Sequence, residues 1–302
     1  MKKQNSKKRM GFSLIELSIV ILVIGILVAG VTKGGSIMTK ARIGSAKSLT
    51  SSSPAAVIPD LVAWYEPVLS SSFNPANAFD GTTLTVSATT GASWYDNSPA
   101  KNNNATTVTG GITYRESSIN NIPSVRFGEA NSTTTLAFNS SALNKKDYTI
   151  FVVEQRRVAT SGTVGRFLSL GGIAATPNSL GYSGATTISD SNGGSFTAVP
   201  AYAPSSPRIS TFTSNLSANT RRVFVNGTEG LSGSSNGANG TGAVITATSL
   251  GLIGADIATT SSYYKGDIAE IIIYNRALKV DERNDIQNYL SKKYGIKVSI
   301  SS

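Results

Sequence analysis

Cysteine and histidine are both missing from the 302 residues, and each absence removes a body of chemistry. Without cysteine there is no disulfide and no thiol reaction in any compartment. Without histidine the Ser-His-Asp and Cys-His nucleophiles, the usual zinc sites and an imidazole pH switch are gone as well. Charge is sparse too. Only 15% of residues are charged against 40% hydrophobic, a balance that suits a folded chain and not a disordered one. The length allows one large domain or two small ones.

The formal charge of +10 hints at nucleic acid, but its placement argues otherwise. Lys2, Lys3, Lys7, Lys8 and Arg9 precede a long apolar run, and Lys33, Lys40, Arg42 and Lys47 follow it. From Asp60 onward 18 basic residues face 16 acidic ones, a net of +2, so no nucleic-acid partner is expected.

The apolar run itself is Phe12 to Val31. At about 1.5 Å per residue it is long enough to cross a hydrocarbon core of about 30 Å. The basic stretch before it favours a cytoplasmic N-terminus. One carboxylate, Glu16, lies inside it. A charge on a membrane helix costs on the order of 2.5–3.5 kcal/mol at the bilayer centre, so such a residue needs a partner. Three readings compete: a cleaved signal peptide with Val28-Ala29-Gly30 as cleavage site, a plain signal anchor, and a prepilin leader. The first leaves the length and Glu16 unexplained. The second explains the length but neither Gly11 nor Glu16.

The stretch GFSLIELSIVILVIGILVAG (11–30) resembles the N-terminus of type IV pilins and of type II secretion pseudopilins. The resemblance implies removal of the basic leader 1–11 by a prepilin peptidase cutting after Gly11, N-methylation of Phe12, and a role for Glu16 in assembly. There the glutamate pairs with the α-amino group of a neighbouring subunit's Phe12, which offsets a lone carboxylate in lipid and fixes helix register. Implied partners are other pilin subunits, the peptidase and an inner-membrane assembly platform. The implied location is a single-pass inner-membrane protein, then an extracellular pilus or a periplasmic pseudopilus. Trimming would leave 22 basic against 17 acidic residues. The pilin-type helix is expected over 12–50, membrane-spanning at 12–31, with a weak spot at Gly34-Gly35. Residues 51–59 read as a linker, because Pro54 and Pro59 stop the helix.

From residue 60 to 302 the pattern alternates like β structure, as in LVAWYE (61–66), YTIFVVEQ (148–155) and IAEIIIYN (268–275). Asn226-Gly227 signals a type I′ hairpin. Many short strands with no helix between them mean antiparallel pairing. The expected fold is therefore mainly β: an antiparallel jelly-roll sandwich preceded by a long hydrophobic helix. One soluble helix is expected at 280–294, acidic early, basic late and stopped by Gly295. Lys279 stands at its N-cap, where Ser or Thr would be stronger.

LVAWYEP (61–67), SWYDNSPAKNNNA (93–105), RRVFVNGTE (221–229) and GDIAEIIIYNRAL (266–278) resemble the laminin-G-like group of concanavalin-A-like jelly rolls. Some relatives hydrolyse glycosides with a strand motif close to Glu-x-Asp-x-x-Glu, whose two carboxylates flank the scissile bond. The nearest match here, Lys265 to Glu270, has Lys265 where the nucleophile belongs, so no enzyme is expected. Others bind glycans or surface proteins at one rim, sometimes with Ca²⁺. Sugar sites need aromatic faces and convergent polar groups. The candidates are Asp190, Asn192, Tyr202, Asp256, Tyr263 and Tyr264, with Asp190 and Asn192 as weak Ca²⁺ ligands that lack further acidic positions. No other cofactor is implied. Trp64 and Trp94 read as core. Six Asn-x-Ser/Thr triplets, from Asn104, Asn131, Asn139, Asn215, Asn226 and Asn239, are expected by chance in so Asn- and Ser-rich a chain.

The resulting reading is a minor or tip pilin-like subunit displaying a lectin-like module for adhesion. A structural pilin or pseudopilin without a ligand is the alternative, and a membrane-anchored glycan-active enzyme the remote one.

Overall fold

The computed structural model describes residues 13–73, 83–84, 93–110, 112–128, 133–157, 164–173, 176–184, 186–191, 205–218, 220–230, 250–257 and 262–300. The chain divides into two compact units, residues 1–42 and 43–302.

Helix α1 runs from Leu14 to Ser51 without a break at Gly34-Gly35. Its start is a capping box: Ser13 Oγ accepts the Ile15 N–H (3.3 Å), and the Glu16 carboxylate accepts the Ser13 N–H (2.9 Å). Every large apolar side chain from Leu14 to Val28 is exposed. Among the described residues no helix is long and apolar enough to cross a membrane. Described side chains of the run end at Val28, so the expected span of 12–31 lies partly outside them.

In the second unit α1 does not give way to a free linker. Ala46 and Thr50 of its last turns are buried, and Ser53 caps a 3-10 turn at Pro54–Ala56 whose Ala55 is also buried. The helix ends at Ser51, and Pro54 opens the 3-10 turn that follows. The segment then packs because its small apolar side chains fit under the sheet.

Two antiparallel sheets form the module. One contains β1 (Leu61–Tyr65), β2 (Thr83–Leu84), β5 (Ile112–Ile119), β6 (Ile122–Phe127), β8 (Tyr148–Arg156), β12 (Arg208–Asn215), β13 (Thr220–Val225), β14 (Thr228–Glu229) and β16 (Gly266–Tyr274). Its order is β14-β13-β12-β8-β16-β6-β5-β2. One edge of β16 is shared, first by β6 at residues 266–268 and then by β1 at 271–274. The other sheet holds β3 (Ser93–Trp94), β4 (Ala105–Thr109), β7 (Thr135–Phe138), β9 (Gly165–Ile173), β10 (Thr176–Tyr182), β11 (Ile188–Ser191) and β15 (Gly251–Ile253), in the order β11-β10-β9-β15-β7-β4-β3.

Between the sheets lies the main core, with Trp94, Phe127, Phe167 and Phe212 fully buried. A second core lies on the outer face of the nine-stranded sheet, under α2 (Val280–Tyr294). Ile286, Leu290, Lys293 and Tyr294 recur at helical spacing and turn inward together. Gly295 ends the helix at φ +63°, a backbone state that glycine tolerates best. At the other end Lys279 has no acceptor to offer, and Glu282 alone reaches back to its N–H (2.9 Å). Asn226 and Gly227 both take positive φ, +50° and +78°, as the hairpin between β13 and β14 requires.

Candidate functional site

The processing residues Gly11 and Phe12 lie outside the described residues. Glu16 is described, and in the single chain its carboxylate serves its own helix through the capping box. The S-L-I-E spacing of 13–16 carried that signal, which the membrane argument overshadowed.

The module's expected ligand residues separate. Asp190, on β11, pairs with Leu180 and points between the sheets at 1% exposure. Tyr148 donates its hydroxyl to one carboxylate oxygen, and Arg221 Nη1 sits 3.2 Å from the other. Burial pushes the Asp190 carboxyl up, against the pull of Arg221. Both oxygens are engaged, so the expected Ca²⁺ or rim role of Asp190 is corrected to an internal one. The alternation of β11 carries Asp190 to the core face, where only an ion pair makes the carboxylate tolerable. Among the described residues no group of three acidic, histidine or cysteine side chains is placed to hold a metal.

Tyr264 is also internal, donating to Glu154 Oε2 (2.6 Å), while Tyr182 donates to Oε1 (2.9 Å) and Arg208 lies 3.4 Å away. Burial raises the Glu154 carboxyl despite these partners. The rim reading of Tyr264 is therefore corrected in the same way. Asp256 and Tyr263 remain half-buried beside Arg166, whose Nη1 donates to Ser189 Oγ (2.8 Å) and whose guanidinium feels the Asp256 charge. Asn192 and Tyr202 lie outside the described residues. Trp64 and Trp94 are buried, their indole N–H groups donating to Glu270 (2.7 Å) and to the Glu66 carbonyl (3.1 Å).

The glycosidase-like segment is likewise structural. Asp267 receives Arg126 through two bonds of 2.6 and 2.8 Å and Ser118 through a third (2.8 Å). Glu270 is 1% exposed and accepts from Trp64, Tyr289 (2.8 Å), Tyr294 (2.8 Å) and Lys293 (2.7 Å). Lys293 also touches Glu66 (3.3 Å), which the N–H groups of Val68 and Leu69 and the Ser72 hydroxyl hold in place. The Glu66 and Glu270 charges raise the Lys293 ammonium although burial opposes them. These two carboxylates clamp a lysine and leave no cleft for a sugar between them.

Two packed antiparallel sheets with ion pairs in their interior and a helix across one face form a jelly-roll sandwich. The profile of the concanavalin A-like lectin/glucanases superfamily matches residues 115–282, more than half of the chain. The chain belongs to that superfamily. Residues 6–32 match the prokaryotic N-terminal methylation motif. No curated protein matches the chain.

Among solved structures, a botulinum neurotoxin type C chain is 10% identical over 79% of this chain and 53% of its own, with a TM-score of 0.51. That toxin is described as depending on two ganglioside molecules to enter cells. A Trypanosoma rangeli sialidase is 13% identical over 88% of this chain and 41% of its own, also at 0.51. Domain 4 of a Geobacillus stearothermophilus arabinanase, solved with arabinotriose, is 16% identical over 76% of this chain and 98% of its own, at 0.48. At such identities the likeness is one of fold.

Proposed function

We propose that this chain is a type IV pilin-like subunit, minor or tip-located, that assembles through α1 into an extracellular fibre. There it displays its jelly roll for adhesion to glycans or surface proteins. The observation that carries the reading is the exposed apolar run from Leu14 to Val28, interrupted by Glu16 and set within the methylation motif. Scattered apolar side chains are ordinary on a surface, but so long and contiguous an apolar stretch demands cover. Lipid supplies it before assembly, and neighbouring α1 helices supply it afterwards.

Glu16 then exchanges partners. It leaves the N–H of its own Ser13 for the methylated amine of an adjacent subunit's Phe12. The size of the module favours a tip or minor position, where its bulk is not repeated along the shaft. A glycan ligand is supported by membership of a superfamily of lectins and glucanases. Binding without catalysis is supported by Lys265 at the nucleophile position and by the internal pairing of Asp267 and Glu270.

Peptide mapping of protein purified from sheared fibres tests the reading. It should begin at N-methylated Phe12. Retention of residues 1–11, or trimming at Gly30, would overturn the fibre role and leave an anchored or secreted β module.

A further inference from the structure

A cavity of about 340 Å³ opens at one end of the sandwich, away from every residue assigned above. It lies where the start of β1, the loop before β4, the turn after β7 and the end of β16 converge. Asp60, Asn102, Asn103, Asn139, Ser141 and Asn275 supply its polar wall. Its volume falls at the low end of the roughly 300–1,000 Å³ typical of small-molecule sites.

This wall is set in advance. Buried Asp96 organises the loop beneath it, accepting the N–H groups of Trp64 (2.9 Å), Ser98 (2.9 Å) and Asn103 (3.3 Å) and the Ser98 hydroxyl (2.7 Å). Asn103 and Asn139 then interlock. The Asn139 N–H donates to Asn103 Oδ1 (2.8 Å), and Asn103 Nδ2 donates to the Asn139 carbonyl (2.9 Å). Tyr65 holds the Asn103 carbonyl from below (2.5 Å). On the opposite wall the Asn275 N–H donates to the Asp60 carbonyl (3.1 Å), and Asn275 Nδ2 to that of Ala142 (3.3 Å). Walls fixed before binding lower the entropy that a ligand must overcome.

The chemistry of the wall selects the ligand. Amides and a hydroxyl offer donors and acceptors together, which is what an alcohol presents in return. Arg276 lies 3.4 Å from the Asp60 carboxylate but is already paired with Glu282 through two bonds of 2.7 Å. Asp60 therefore brings one exposed carboxylate to the lining, an acceptor for hydroxyl donors. A calcium ion would need further carboxylates than the single one here. Leu61, Val62, Ala100 and Ala142 supply apolar contact for C–H groups.

Building on the glycan-display reading, we propose that this pocket binds the hydroxyls of a neutral sugar unit, with Asn102 and Asn275 as its principal contacts. Saturation-transfer NMR and calorimetry on the full chain in detergent micelles test it, using L-arabinose, D-galactose, D-glucose, D-mannose and N-acetyl-D-galactosamine as probes. At least one should bind the parent chain. Asn102→Ala should weaken it about tenfold, the loss of roughly one hydrogen bond to the ligand. Ala100→Trp, which fills the pocket from an exposed position and removes no polar contact, should abolish it. Urea midpoints within error of the parent would separate these effects from unfolding. Sugar binding that survives both substitutions, or that is lost only in Tyr263→Ala, overturns the pocket while the lectin reading stands. No binding of any probe by the parent chain overturns both, and leaves the fibre role to peptide mapping.

Discussion

Glu16 caps its own helix, and a conservative substitution separates that contact from the proposed role in assembly. Glutamine still accepts the Ser13 N–H and so preserves the capping box, but it carries no charge to meet an amine. Glu16→Gln and Glu16→Ala should both be inserted and processed, and both should give few fibres when sheared pili are quantified. Normal yield from Glu16→Gln would assign the residue to helix capping alone. Lys293 poses a different single-residue question, because it is fully buried between Glu66 and Glu270. Removing one partner of a buried ion pair usually costs about 3–5 kcal/mol, so Lys293→Met should lower the urea midpoint of the full chain severely. A change within error would mean that water already reaches the two carboxylates. The burial of Lys293 was not legible from residue type. The lysine reads as a solvated residue in the helix's basic last turn, and only packing against β16 puts it inside.

At the scale of elements, α2 starts without a side-chain cap at Lys279, and Glu282 compensates. It accepts the Lys279 N–H and grips Arg276 through both oxygens, and these bonds pull its carboxyl down to about 2. A depressed folded-state value stabilises above the ordinary carboxylate range, and the contribution is lost as pH falls from about 4.5 toward 2. Glu282→Gln should therefore lower the melting temperature at pH 6 and should differ less from the parent at pH 3. A gap of equal size at both values would assign the effect to packing. The hairpin of β13 and β14 is a second test. Gly227 has φ +78°, and a Cβ there would overlap the carbonyl of Ser299, whose N–H donates to Asn226 (2.8 Å). Gly227→Ala should destabilise the turn and release the C-terminal tail, seen as faster proteolysis after residue 296. Unchanged proteolysis would show that the tail is held elsewhere.

At the scale of the whole molecule, the last turns of α1 fall in the same compact unit as the jelly roll. Ala46 and Ala55 share an apolar cluster with Ile286, Leu290 and Tyr294 of α2, so the last turns of α1 pack into the module's second core. On the proposed minor or tip position, which rests on the module's bulk, immunogold labelling of fibres with antibody against the module should give sparse or terminal decoration. Dense, regular labelling along the shaft would make the chain a major subunit. The β architecture was legible because alternation, Asn-Gly turns and the closing strand with its helix are local patterns. The candidate rim was legible only in part. Asp256 and Tyr263 stay near the surface, but a two-residue period does not say which face of β11 is inside, and Asp190 falls on the buried one.

By itself the sequence determined where the long apolar helix lies, that it carries an acid in register with a methylation signal, and that the remainder folds as a β sandwich. Those features depend on composition and short periods, which need no distant partner. Tertiary structure alone decided which charged groups are internal. The bulge at Ala269 shifts the phase of β16, so Glu270 faces α2 and meets Lys293, while Ile268 and Ile271 both stay in the inter-sheet core. It also assembled a polar pocket from Asp60, Asn102, Asn139 and Asn275, residues far apart along the chain. The physical reason is the same in both cases. The free energy of a buried polar group is set by what lies across from it, and that neighbour is chosen by the fold.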